Sequence, residues 1–124
     1  VRGGANLRFR SSVAHNPGFL NCDGDGSGQI SNDGANHVTD TSCGGQFSTA
    51  APDPQLGPLT TDFLGFGSTS YHLPQPGSPL INASTVPCPE RDQRSAARIA
   101  GCDIGAVEAG GLIPRVYLAA LAKN

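Results

Sequence analysis

The chain has 124 residues, enough for one modest domain, and only 37% of them are hydrophobic, with 17 Gly, 10 Pro and neither Trp nor Met. This Gly and Pro content excludes a helical bundle, because both residues are costly in helix interiors, and it favours a turn-rich all-β structure. A formal net charge of −2 excludes a basic nucleic-acid surface, and no apolar run is long enough for a transmembrane segment.

In chain order, residues 7–14 alternate Leu7 and Phe9 with Arg8 and Arg10 and continue to Val13. This period of two predicts a half-buried strand, ended by the turn residues His15-Asn16-Pro17-Gly18. Phe19 and Leu20 form a short apolar step before Cys22. The Gly-, Asn- and Asp-rich stretch that follows predicts very short strands, with Ile30 and Val38 pointing inward. Residues 41–58 read as irregular, anchored by Phe47 and Leu56. Leu59, Phe63, Leu64 and Phe66 make the densest apolar cluster of the middle, and 71–73 and 80–81 read as further short strands.

The closing stretch, 112–124, is the most apolar part of the chain, carrying Leu112, Ile113, Val116, Tyr117, Leu118 and Leu121. Pro114 argues against one continuous helix there. A strand through Val116-Tyr117-Leu118 would be an unpaired hydrophobic edge, which proteins cover or use for assembly. The sequence thus divides into a domain over 1–111 and a tail over 112–124. It opens at Val1 without a signal-peptide pattern, which predicts a processed product or the end of something longer.

Four cysteines allow three pairings. The local one, Cys22 with Cys43 and Cys88 with Cys102, brackets two stretches rich in Asp, Gly, Asn and Ser. Each bridge would remove roughly 3 kcal/mol of loop entropy from the unfolded chain. A four-thiolate zinc site requires closely spaced cysteines, and none here are that near in sequence. Oxidised cysteines point to a secreted protein or a bacterial cell surface.

Short β segments punctuated by Asn and Gly suit a solenoid. RSSVAHN at 10–16, NC at 21–22, GQISNDGANHVTDTSCG at 28–44 and DPQLGPL at 53–59 carry a family resemblance. It continues in YHLPQPGSPLINAS at 71–84, CPERDQRSAAR at 88–98 and CDIGAVE at 102–108. In these pieces the chain resembles the C-terminal part of bacterial secreted right-handed parallel β-helix proteins, the choice-of-anchor Q domain and polymorphic outer-membrane repeat groups. Ser95 stands where that family usually has Gly. The resemblance implies a short right-handed parallel β-helix with long disulfide-tied loops and an apolar C-terminal strand.

Two clusters carry chemistry. Asp23, Asp25, Ser27, Gln29 and Ser31 occupy alternating positions of a calcium-type loop, with Gly28 at the sharp turn. The closing bidentate Glu is replaced by Gly34, and Asp33 comes one residue early, which would weaken any calcium site. The competing reading is a Gly/Asp turn loop tethered by Cys22. Asp92, Arg94, Arg98, Asp103 and Glu108 form the densest run of charges. Asp92 with Asp103 could be a glycosidase carboxylate pair. The favoured reading is a structural ion network of Asp92, Arg94, Arg98 and Asp103, pinned by Cys88 and Cys102. His15, His37 and His72 show no metal-site spacing.

The sequence therefore predicts a non-enzymatic extracellular module with no required cofactor, calcium aside. Its leading form is a self-associating filament or surface-layer subunit, joined through residues 112–124. One alternative is the cap of a larger secreted adhesin or polysaccharide-active protein, docked on upstream β-helix coils. The other is a calcium-dependent carbohydrate binder.

Overall fold

The computed structural model describes residues 4–23, 28–61, 69–99 and 101–111. Among these described residues, six short strands alternate with turns: β1 (Asn6–Phe9), β2 (Val13–Ala14), β3 (Gln29–Asn32), β4 (His37–Val38), β5 (Leu56–Thr60) and β6 (Tyr71–Pro74). A 3-10 turn spans Gly45–Phe47. The strands form three separate two-stranded sheets: β1 parallel to β3, β2 parallel to β4, and β5 antiparallel to β6.

The strand expected over 7–14 is broken in two by a corner. Ser11 adopts a left-handed φ of 45°, and Ala35, in the chain step alongside, does the same at 51°. Asn36 then supplies the bonds that a ladder would have made. Its Nδ2 donates to the carbonyl of Phe9 at 2.8 Å, and its Oδ1 accepts the N–H of Ser12 at 3.0 Å. An Asn side chain with one donor end and one acceptor end can satisfy both backbone groups of a corner at once.

The first core lies between the two parallel sheets and the 3-10 turn. Val38, Cys43 and Phe47 are buried there, with Phe9, Ala14, Cys22 and Ile30 packed around them. Phe9 meets Phe47 edge-on, ring centroids 5.6 Å apart, a preferred aromatic geometry. Tyr71, Leu80, Ala96, Cys102, Ile104 and Val107 supply further buried apolar side chains in the second half. The antiparallel pair β5–β6 shifts register between Leu56 and Leu59. Pro58 falls inside that shift, where its missing N–H removes a ladder bond.

This arrangement overturns the solenoid and the resemblance that implied it. A β-helix needs parallel rungs stacked in one continuing sheet, but each parallel ladder here stops after a single pair. The next pair is antiparallel and reverses the chain. Beyond β6 the described residues add only an isolated antiparallel bridge, Arg91 with Ala97. The molecule is a small mixed-topology all-β and loop domain. Leu80-Ile81, read as a strand, instead lies in tight turns, with the N–H of Ile81 on the carbonyl of Ser78 and that of Ala83 on Leu80.

The functions built on a solenoid fall with it. Among the described residues no stacked coils present open solenoid ends to drive a filament or surface-layer subunit, or to receive upstream coils of an adhesin or polysaccharide-active protein. Self-association through such ends loses its structural basis too. Leu112, Ile113, Val116, Tyr117, Leu118 and Leu121 lie outside the described residues, as do Phe63, Leu64 and Phe66. Among the described residues no helix is long and apolar enough to cross a membrane.

Candidate functional site

The chemistry of the molecule concentrates in residues 88–111, a segment with almost no ladder bonding. The Cys88–Cys102 bridge closes it, as Cys22–Cys43 closes the earlier excursion. Within it three carboxylates take over the role of a sheet partner.

Asp92 opens a tight turn. Its Oδ1 accepts the N–H groups of Arg94 at 2.7 Å and Ala96 at 3.0 Å, while its Oδ2 accepts the N–H of Glu108 at 3.0 Å. Asp readily caps backbone donors two residues ahead, the usual start of such a turn. Arg94 adds Nε and Nη2 to the same Oδ2, at 2.9 and 2.8 Å. It also donates to the carbonyl of Glu108 and sits over the Tyr71 ring, 5.0 Å from its centroid. Burial alone would raise the Asp92 carboxyl, but the Glu108 N–H, the Arg94 side chain and the remaining N–H donors outweigh it and hold its pKa below the ordinary carboxylate value. Desolvation works against the Arg94 cation, yet its bonds to Asp92 and Tyr71 raise it above its ordinary value.

Glu108 is the second hub. Its Oε2 accepts Arg98 Nη1 and the N–H of Asp103, both at 3.0 Å, and its Oε1 accepts the N–H of Ile99 at 3.2 Å. Arg98 reaches on to the carbonyls of Asp103 and Gly105. Gly105 permits this with φ 111°, and a Cβ there would press on Val13 at 3.3 Å. The N–H of Gly105 donates to the carbonyl of Ser11, tying this segment to the first half. Asp103 is the third hub and has no arginine among these bonds: its oxygens take the N–H groups of Asn82 and Ala109.

The sequence-level network of Asp92, Arg94, Arg98 and Asp103 thus assembles in one place, with a different wiring. Arg94 pairs with Asp92, and Arg98 pairs with Glu108. In the sequence Glu108 belongs only to the charge run; its role as a hub has no spacing signature, because it closes onto residues 5 to 10 positions earlier through a turn. Seven main-chain N–H groups end on the three carboxylates. With Asp103 and Glu108 at 1% exposure and Asp92 at 7%, these groups are committed to the fold, which is not how an acid–base pair for an external substrate is arranged.

Of the calcium-loop residues, Asp23, Gln29 and Ser31 line one open cavity of the first half. Asp23 is exposed, and Gln29 and Ser31 belong to β3, whose register with β1 fixes them on extended backbone. Asp25 and Ser27 lie outside the described residues. Among the described residues no group of three or more His, Cys, Asp or Glu is placed to hold a metal ion. The histidines have separate partners: His15 Nδ1 meets the Thr39 hydroxyl, His37 Nε2 the Pro52 carbonyl, and His72 Nδ1 the Gly57 carbonyl.

Comparison with known proteins finds no matching family model, no matching curated protein and no matching solved structure.

Proposed function

We propose that the chain is a non-catalytic scaffold module of an oxidising, extracytoplasmic setting, secreted or held at a cell surface. The observation that carries this reading is the complete use of Asp92, Asp103 and Glu108 as internal partners for backbone N–H groups and arginines. Acids so engaged rigidify loops, and the two bridges Cys22–Cys43 and Cys88–Cys102 close the excursions that the thin core leaves loose. Disulfides of this kind persist where thiols are oxidised, which supports a location outside the cytoplasm.

Production of the same chain in an oxidising periplasm and in a reducing cytoplasm tests the reading. Thiol counting and limited proteolysis should find a protease-resistant protein without free thiols from the periplasm, and a protease-sensitive chain with reduced thiols from the cytoplasm. A resistant cytoplasmic product with four free thiols would remove the compartment argument.

A further inference from the structure

We propose that Thr39 and Asn21 become joined by an intramolecular ester, formed with His15 as general base and with loss of ammonia. The parallel ladder of β2 and β4 brings His15 and Thr39 side by side, since Ala14 pairs with Val38 and the N–H of Thr39 donates to the carbonyl of Ala14. Thr39 Oγ1 lies 3.0 Å from His15 Nδ1, within proton-transfer reach, and accepts Asn21 Nδ2 at 3.1 Å. The hydroxyl thus touches an imidazole on one side and, on the other, the nitrogen that would leave the neighbouring carboxamide, with a longer bond to the carbonyl of Ala14 at 3.4 Å.

Asn21 is held there. Its N–H donates to Asp40 Oδ2 at 2.8 Å, the next N–H donates to Ser42 Oγ at 2.9 Å, and Cys22 is bridged to Cys43. Such fixing turns the encounter into a first-order event. The amide carbonyl, Asn21 Oδ1, is buried without a hydrogen-bond partner. Burying an unpaired amide oxygen is costly, and an ester carbonyl is a weaker acceptor that loses less there.

The step balances without any co-reactant. His15 Nδ1 takes the Thr39 hydroxyl proton as Oγ1 bonds to Cγ of Asn21 and the carbonyl π pair moves onto Oδ1. The tetrahedral centre then collapses as that pair re-forms the carbonyl, the Cγ–Nδ2 bond breaks, and the imidazolium returns the proton to the departing nitrogen. Ammonia leaves into dilute solution, which draws the exchange forward. The product spans the loop that Cys22–Cys43 also closes, and so keeps it closed when that disulfide is reduced.

Intact mass of the full chain, folded under oxidising conditions and then fully reduced, is the test. It should be about 17 Da, one ammonia, below the sequence mass. Cleavage before Asp33 should leave the two flanking segments covalently joined. Thr39→Val and His15→Ala should both return to the full sequence mass. A wild-type chain at the sequence mass overturns the proposal whatever the variants do. A mass loss that persists in Thr39→Val also overturns it, because cyclisation of Asn21 onto its own backbone needs no hydroxyl; persistence in His15→Ala removes the histidine from the reaction.

Discussion

Replacing Glu108 by glutamine is expected to cost about 3–5 kcal/mol of folding stability, measured by urea denaturation at neutral pH. Glutamine preserves the shape but not the wiring. One end of the new amide is a donor, and it must face either the N–H of Asp103 or that of Ile99, so one donor meets another. Arg98, whose side chain is 7% exposed, loses the only carboxylate it is paired with among the described residues. A charge left buried without its partner is what makes such a break expensive, whereas an intact buried pair adds little by itself. Total stabilities of single domains are about 5–15 kcal/mol, so this variant should stand at the edge of unfolding. A loss under about 1 kcal/mol would mean that the Glu108 bonds are replaceable by water.

The second large effect is expected from the Cys88→Ser, Cys102→Ser double variant. The bridge joins residues 14 apart in sequence, and its removal should cost about 2–4 kcal/mol. For a domain of this size that is a fall in Tm on the order of 10 °C, read by calorimetry. The loss acts on the segment that has least else to hold it. Between Cys88 and Cys102 the described ladder contact is the single bridge Arg91 with Ala97, and Asp92, Arg94 and Arg98 all depend on that stretch keeping its turn. An unchanged Tm would show that the carboxylate network closes the loop without the disulfide.

The cysteine pairing was legible because each pair brackets its own loop, and local closure is the simplest geometry for it. The short strands were legible in part. The alternation of Leu7, Phe9 and Val13 marked the right stretch, but nothing in a period of two announces the left-handed corner at Ser11 or the Asn36 side chain that fills it. Phe47 and Val38 were readable as buried anchors, because large apolar residues isolated in polar surroundings have few other places to go. Leu59 was not: read as part of the densest apolar cluster, it is 65% exposed.

The architecture departs from the solenoid expectation for a physical reason. Asn- and Gly-rich steps resemble solenoid corners, yet the same residues suit tight turns between unrelated strands, and local sequence does not say which neighbour a strand will choose. β5 and β6 are near enough in sequence to pair with each other, and they do so antiparallel. In residues 88–111 the backbone donors found carboxylates in place of another strand, a competition that side chains of Asp are well suited to win. The acids were visible in the sequence, but the choice of Glu108 as partner to Arg98 depends on a turn at Gly105 that spacing does not encode.

Residues 88–111 are held by carboxylates where a sheet would otherwise hold them. Native-state hydrogen exchange of their amides tests that most directly. The N–H groups of Ala96, Asp103 and Glu108, each bonded to a buried carboxylate, should exchange as slowly as the ladder amides of β3 and β4, at the rate set by global unfolding. Exchange of these three at the rate of an open loop, with the strand amides still protected, would contradict the account.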